Sequence, residues 1–285
     1  ARRSSSLIEI VQNESVCFQC HLTNDADVDL RSRFVTDFQP GELLSDYRHG
    51  FTIQAPDKEM TVVGHGQQMQ LSRCYQESET MTCTTCHNPH RPVGAAERAV
   101  YYRQKCLECH QVDSCGLPEA TRIGRQADDN CVTCHMPVTD TDIPHFAFTH
   151  HRVGIHASGS AALKEPAITV EVPPVVAADD ETGLSPLDRQ RNRGLALLTI
   201  SEGTAPKPHR LAYHQEAIRL LEDVAAQGVH DPALDTALAR ILWQRDLPRT
   251  IRLASRALAA DPRDPMLRRD AASVLAEAYL GSGKL

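Results

Sequence analysis

The spacing of apolar residues divides the chain into two different parts. From Pro186 onward, apolar residues recur every three or four positions, which predicts amphipathic helices. We expect five of them, near residues 187–200, 209–227, 233–245, 248–260 and 264–281. Residues 1–156 are predicted to form a separate, loop-rich domain. The expected fold class is therefore mainly α, in two domains.

The helical part has features of a repeat. Asp231-Pro232 and Asp264-Pro265 lie 33 residues apart, each directly before a predicted helix, where proline is tolerated in the first turn. Ala257 and Pro262 fall where a tetratricopeptide unit of about 34 residues places its small packing residue and its terminal proline. Residues 187–285 are therefore predicted to form a tetratricopeptide-like domain of helical hairpins, with a plain helical bundle as the alternative. Such arrays bind partners or neighbouring copies on their concave face.

The segment between the two parts, residues 157–186, is rich in Ala, Ser, Gly and Pro, including Pro173-Pro174. Because proline fixes φ and removes a hydrogen-bond donor, this composition predicts an extended linker. Within it, Ile168–Val172 alternates apolar and polar residues, which predicts a strand that could pair with a partner at a sheet edge.

Composition and charge narrow the range of functions. The 285 residues carry a net charge of −7, which argues against a surface for nucleic acid. No apolar run approaches the roughly 20 residues that a membrane-spanning helix needs, so we expect no transmembrane segment. All ten cysteines lie between Cys17 and Cys134, and eleven of the fourteen histidines lie before residue 157. The chemistry is therefore expected in the first domain.

Eight of the cysteines form four copies of Cys-X-X-Cys-His, the attachment signature of c-type haem. The copies, motifs 1 to 4, are Cys17–His21, Cys83–His87, Cys106–His110 and Cys131–His135. Two thiols three positions apart can form thioethers with one porphyrin, and the adjacent histidine then becomes the proximal iron ligand. The haem-binding cysteines are Cys17, Cys20, Cys83, Cys86, Cys106, Cys109, Cys131 and Cys134, and the proximal histidines are His21, His87, His110 and His135.

The motifs predict four covalently bound haem c groups. With only about 40 residues per haem, the porphyrins themselves would form much of the core of this domain. Zinc ribbons are an alternative use of Cys-X-X-Cys pairs, but they do not require the histidine that follows all four pairs. A disulfide framework does not require it either.

Each haem iron has a sixth position, and seven further histidines of the first domain are candidates for it. His65 lies between two glycines, where the backbone can approach a flat cofactor. His90 stands too close to His87 to reach around the same haem and is expected to serve a neighbouring one. Of the adjacent His150 and His151 only one is expected to bind, because neighbouring side chains point in different directions. The distal candidates are His65, His90, His145 and His151, and the other possible ligands are His49, His150, His156, Met60, Met69 and Met81.

Two cysteines, Cys74 and Cys115, lie outside the motifs. Haem attachment takes place outside the cytoplasm, where thiols oxidise, so we expect a disulfide between them, with two buried free thiols as the alternative. The protein is accordingly expected in the periplasm or outside the cell, with its signal peptide removed.

Residues 17–152 resemble the multihaem cytochrome c superfamily that includes hydroxylamine oxidoreductase and the tetrahaem cytochromes linked to it. The resemblance rests on Phe38–Gly41, Ser72–Tyr75, Met81–His90, Cys131–Pro137 and Phe148–Arg152. It implies closely stacked, mostly bis-histidine haems and a disulfide between Cys74 and Cys115. It also implies distal binding by His65, His90, His145 and His151. Many bacterial members carry a tetratricopeptide-like tail, and relatives usually have an acidic residue where this chain has His150.

The leading hypothesis for function is electron transfer without catalysis, because an iron with both axial positions filled cannot bind a substrate. The helical domain would dock a redox partner or further copies of the chain, and head-to-tail docking could build an extracellular conducting filament. The alternative is a periplasmic oxidoreductase that acts on nitrogen oxides or hydroxylamine at a five-coordinate haem. A third hypothesis is a haem-bearing scaffold whose main task is partner binding.

Overall fold

A computed structural model describes residues 5–54, 64–126, 128–140, 147–156 and 171–283. These residues are mainly helical, which confirms the expected mainly α fold class. The α-helices are α1 (Ser5–His21), α2 (His65–Gln70), α3 (Arg73–Glu77), α4 (Cys83–Cys86), α5 (Arg98–Leu107), α6 (Glu119–Arg125), α7 (Cys131–His135), α8 (Pro186–Glu202), α9 (Arg210–Ala226), α10 (Pro232–Leu242), α11 (Leu247–Ala259) and α12 (Pro265–Gly281). The strands are β1 (Ala26–Asp29), β2 (Arg48–Ile53), β3 (Val138–Asp140), β4 (Ala147–Thr149) and β5 (Val175–Ala177).

The chain divides into two compact units. Unit 1 takes the described residues within Ala1–Thr23, Pro40–Glu42 and Glu59–Glu165. Unit 2 takes those within Asn24–Gln39, Leu43–Lys58 and Pro166–Leu285. All four Cys-X-X-Cys-His motifs lie in unit 1, and α8 to α12 lie in unit 2.

Unit 1 is built from short helices, and the motifs occupy helix ends or single turns. Motif 1 ends α1, motif 2 coincides with α4, motif 3 starts in the last turn of α5 and motif 4 forms α7. Strands β3 and β4 pair antiparallel. Among the described residues of this unit, Met69 is the only apolar side chain that is fully buried. The polypeptide therefore supplies almost no apolar core here.

Unit 2 contains the five predicted helices, each within a few residues of the expected position. Four of them begin in the same way, with a capping side chain that accepts a backbone N–H of the first turn and a proline directly inside the helix. The capping residues are Ser185, Asp231, Asp246 and Asp264. Packing follows the chain: α8 contacts α9, α10 contacts α11, and α11 contacts α12.

A three-stranded antiparallel sheet, in the order β1-β2-β5, completes unit 2. Val28 and Phe51 are buried in one apolar core with Val175 and with Leu221 and Leu238 of the helices. Residues 24–39 and 43–54 were expected in the same domain as the motifs. They belong to unit 2 because several of their apolar side chains are buried in its core.

Part of the expected linker also belongs to this sheet. Val175 is buried, and β5 pairs with β2 of the same chain rather than with a partner. The expected strand at Ile168–Val172 falls partly outside the described residues, and its last two residues are not in a strand. Strand β5 begins only after Pro173-Pro174, because proline has no N–H to donate to a neighbouring strand. The Pro174 carbonyl can still accept, and the Gln54 N–H donates to it.

None of the helices formed by the described residues has the length and apolar composition that a membrane crossing requires.

Candidate functional site

The four motifs have local structures that orient their cysteines together. In α4 and α7 the two cysteines of a motif lie three residues apart on a helical turn, which places both thiols on one face. Asn130 caps α7 by accepting the Val132 N–H at 3.0 Å. At α4, Thr85 Oγ1 accepts the Thr82 N–H at 3.0 Å. Short polar side chains therefore define where these two motifs begin.

Thiols of successive motifs lie next to each other. Cys83 of motif 2 interacts electrostatically with Cys17 of motif 1, and burial raises the pKa of Cys83 well above the ordinary value. Cys106 of motif 3 interacts in the same way with Cys131 of motif 4, and burial raises the pKa of Cys106 to about 11. These thiols are therefore protonated at neutral pH. The contacts place motif 1 beside motif 2 and motif 3 beside motif 4.

Four imidazoles from separate segments form a contiguous set, called the histidine row below. The ring of His21 contacts that of His65, with centroids 5.1 Å apart and Nδ1 atoms 3.3 Å apart. His65 contacts His151 at 4.3 Å between centroids, and His151 lies 6.1 Å from His87. The row thus joins the predicted proximal histidines of motifs 1 and 2 to two of the predicted distal histidines.

Two of the predicted ligands, His135 and His151, are held through Nδ1. His151 Nδ1 lies 2.9 Å from the Thr149 carbonyl, and His135 Nδ1 lies 2.9 Å from the Gly154 carbonyl. Because a carbonyl only accepts, each Nδ1 carries a proton, and Nε2 is the ring nitrogen that stays available to a metal. This is the tautomer that a metal-binding histidine needs.

The segment that carries His151 is fixed by buried polar side chains. Gln68 Oε1 accepts the His151 N–H at 2.6 Å, and Ser72 Oγ accepts the Val153 N–H at 2.8 Å. Burial, followed by the nearby His65, lowers the pKa of His151 to about 4. Burial likewise lowers the pKa of His87, with a further contribution from His21. Both imidazoles are therefore neutral near pH 7.

The other predicted ligands are placed differently. His90 and His110 are exposed, and His150 contacts His156 at 5.0 Å between ring centroids. His49 is buried in strand β2 of unit 2. His145 and Met60 lie outside the described residues, whereas Met69 is buried and Met81 is half-buried.

All ten cysteines have free thiols in the structure. The expected bond between Cys74 and Cys115 is therefore not formed here. Cys74 lies on α3, within electrostatic reach of Cys86 and Cys109, whereas Cys115 influences the pKa of Arg122. The disulfide stays a prediction for the exported protein.

A buried carboxyl group beside the motifs was not anticipated from the sequence. Glu14, three residues before Cys17 on α1, is only 1% exposed. Tyr75 donates to its Oε2 at 2.9 Å, and the Cys83 thiol donates to Oε1 at 3.7 Å. Burial raises the pKa of Glu14 by more than these hydrogen bonds lower it. The one feature of the sequence that could have indicated this buried group is an acidic residue one helical turn before a motif.

The described residues contain no cluster of three or more His, Cys, Asp or Glu that could hold a metal ion. A haem iron does not need such a cluster, because the porphyrin supplies four ligands and the protein at most two. Comparisons with protein-family models, with curated proteins and with solved structures find no match to this chain.

Proposed function

We propose that this protein is a multihaem c-type cytochrome that transfers electrons along four haem c groups bound by motifs 1 to 4, without catalysing a reaction itself. The histidine row is the observation that carries the proposal. It brings His21 and His87, which follow the cysteine pairs, together with His65 and His151, which were selected independently as distal ligands.

The donor set of unit 1 fits haem. Each motif offers two cysteine sulfurs for thioether bonds, and His135 and His151 each have Nδ1 bound to a carbonyl oxygen, which leaves Nε2 available to an iron. Bound haem supplies one-electron chemistry at iron. The residues of the chain would hold it through the cysteines and histidines of the motifs, and carbonyl oxygens would fix the orientation of His135 and His151.

The near absence of an apolar core also supports the proposal. A chain segment of this length needs buried apolar surface to fold, and unit 1 buries Met69 alone among the apolar side chains of its described residues. Four porphyrins would supply the missing apolar surface. The adjacency of motifs 1 and 2, and of motifs 3 and 4, would place haems close enough for electrons to pass between them.

Unit 2 is proposed to be a tetratricopeptide-like docking domain for a redox partner or for further copies of the chain. It has an open groove of about 690 Å³, in which Trp243 stands among charged side chains of both signs. Glu202, Arg240 and Asp270 are among them. Export to the periplasm or the cell exterior, and assembly into a filament, belong to the same proposal.

The proposal is tested by producing the protein in a bacterial periplasm with the cytochrome c maturation machinery. Mass spectrometry should find four covalent haems on the polypeptide. The double variant Cys83→Ala/Cys86→Ala should carry three, whereas Cys74→Ala should still carry four. A colourless polypeptide, or a double variant that retains four haems, would contradict the proposal.

Electron paramagnetic resonance distinguishes electron transfer from the alternative, an oxidoreductase with a five-coordinate haem. Four bis-histidine haems should give only low-spin ferric signals. His151→Ala should add a high-spin component, because one distal ligand is lost, and His214→Ala in unit 2 should not. A high-spin signal in the unaltered protein that changes on adding nitrite would favour the enzyme.

A further inference from the structure

The buried carboxyl group of Glu14 occupies a position that electron transfer alone does not require. Its two oxygens are bound by Tyr75 Oη at 2.9 Å and by Cys83 Sγ at 3.7 Å. The Cys83 thiol in turn interacts electrostatically with the Cys17 thiol. The carboxyl group therefore lies beside the first cysteines of motifs 1 and 2, the two motifs whose histidines end the histidine row.

Among the described residues, the groups around Glu14 do not neutralise its negative charge. Tyr75 from α3 and Cys83 from α4 are uncharged donors, and Cys17 lies one turn away on α1 itself. The helix α2, which packs against α1, contributes His65, whose ring contacts His21. A carboxylate buried without a cation is unfavourable, so the neutral acid is stabilised.

Haem attachment would strengthen this preference. Once Cys83 sulfur is bonded to a porphyrin carbon as a thioether, it has no proton to donate. Glu14 then keeps the hydrogen bond from the Tyr75 hydroxyl and one from the Cys83 backbone, and it loses the one from the Cys83 thiol. Loss of a donor to a buried carboxylate destabilises the charged form further.

Given the proposed haem binding at motifs 1 and 2, we propose that Glu14 is a proton-linked residue that takes up a proton when these motifs are reduced. An electron from an external one-electron donor converts ferric to ferrous iron, which removes one positive charge near the carboxylate. Glu14 then gains one proton from water, and it releases that proton when the electron leaves. One electron and one proton enter together, and no covalent bond of the polypeptide is formed or broken apart from the carboxyl O–H bond.

The coupling between the charge of the iron and the charge of Glu14 acts in both directions. A negative carboxylate stabilises the ferric form, and the ferric form stabilises the carboxylate, by the same interaction free energy. In a buried site with a low local dielectric this interaction is stronger than at the surface. The reduction potential of the two neighbouring haems should therefore fall as pH rises through the range in which Glu14 ionises.

The test is a spectroelectrochemical titration of the full-length, haem-loaded protein between pH 5 and pH 9. In the unaltered protein, part of the reduction curve should move to lower potential as pH increases. Glu14→Gln keeps an oxygen acceptor for Tyr75 but cannot ionise, so that pH-dependent shift should be lost. Haem propionates also titrate, but they would shift the potential equally in both proteins.

Two further variants complete the design. Glu119→Gln, at an exposed position on α6, removes a carboxylate of the same kind and should leave the pH dependence unchanged. Tyr75→Phe removes the donor to Glu14 and should move the pH-dependent range to higher pH. If Glu14→Gln does not fold with its haems, Tyr75→Phe still tests whether Glu14 is the proton-linked residue.

The outcomes separate the inference from the proposed function. Four haems in the unaltered protein, together with an unchanged pH dependence in Glu14→Gln, would overturn the role of Glu14 alone. An unchanged range in Tyr75→Phe would overturn it as well. A protein without haem would overturn the proposed function and this inference with it.

Discussion

The two units of this protein reach a folded state by different means. Unit 2 buries apolar side chains from both its sheet and its helices, such as Phe51, Val175 and Leu238. In unit 1 the buried side chains among the described residues are mostly polar: Glu14, Ser15, Gln68 and Ser72, with Met69 as the apolar one. One unit therefore has a core of its own side chains, whereas the other has a framework of hydrogen bonds around histidines and cysteines.

This difference indicates what each unit needs in order to be stable. Burial of apolar surface is the main favourable contribution to folding, and unit 2 has it without any cofactor. The hydrogen bonds of Gln68 and Ser72 position His151, but a net gain of about 1 kcal/mol for each cannot offset the conformational entropy of the chain. Unit 1 should therefore depend on its proposed haems for stability.

The largest expected effect is the consequence of withholding haem. Produced without cytochrome c maturation, the chain should keep α8 to α12 but lose ordered structure in unit 1. Hydrogen exchange followed by mass spectrometry should show protection in residues 186–281 and rapid exchange in residues 64–126. The haem-loaded protein is the reference and should be protected in both regions. Equal protection of residues 64–126 with and without haem would contradict the prediction that unit 1 needs haem for its stability and unit 2 does not.

The same comparison explains what the sequence could predict. The helices of unit 2 were predictable because their signals are local: apolar residues at helical spacing, and Asp-Pro pairs in which the aspartate caps the helix. The sheet was missed although Ala26, Val28 and Leu30 alternate with Asp27 and Asp29. A strand of four residues gives a weak signal, and its pairing with β2 is set by the whole core.

The candidate site shows the other limit. Cys-X-X-Cys-His identifies attachment points because the chemistry requires that local spacing. The contact between His21 and His65 joins residues 44 positions apart, and the contact between His65 and His151 joins residues 86 apart. Such distances depend on tertiary structure, so the sequence could name these histidines but not their neighbours. Glu14 was missed for the same reason, because its burial is not visible in a local pattern.

A second prediction concerns the buried ion pair of unit 2. Arg191, 2% exposed, donates two hydrogen bonds to Asp231 and one to the Asp29 carbonyl. Burial raises the pKa of Asp231, but Arg191 and backbone N–H donors outweigh this and hold the pKa below its ordinary range. Arg191→Ala leaves that carboxylate buried and unpaired, which should cost about 3–5 kcal/mol.

Chemical denaturation followed by far-ultraviolet circular dichroism measures this loss. Arg193→Ala, at an exposed position on α8, is the matched control and should change stability by less than about 0.5 kcal/mol. Haem content should be the same in both variants, since the ion pair lies within unit 2. If Arg191→Ala unfolds at the same denaturant concentration as its control, the pair does not stabilise the unit.

The smallest expected effect lies in unit 1 and disappears in acid. Arg122 and Arg103 both donate to Asp129, and their hydrogen bonds lower its pKa to about 2. A carboxyl group whose pKa is lower in the folded state stabilises that state above its unfolded pKa of about 4 and loses this contribution as pH falls towards 2. Asp129→Asn should therefore lower the stability of unit 1 at pH 6. Near pH 2 the difference in stability between this variant and the unaltered protein should become small. Haem absorbance during an acid titration measures this difference. Asp128→Asn, at an exposed position next to Asp129, is the control. Parallel curves for Asp129→Asn and the unaltered protein would show that the two arginines do not stabilise this part of unit 1.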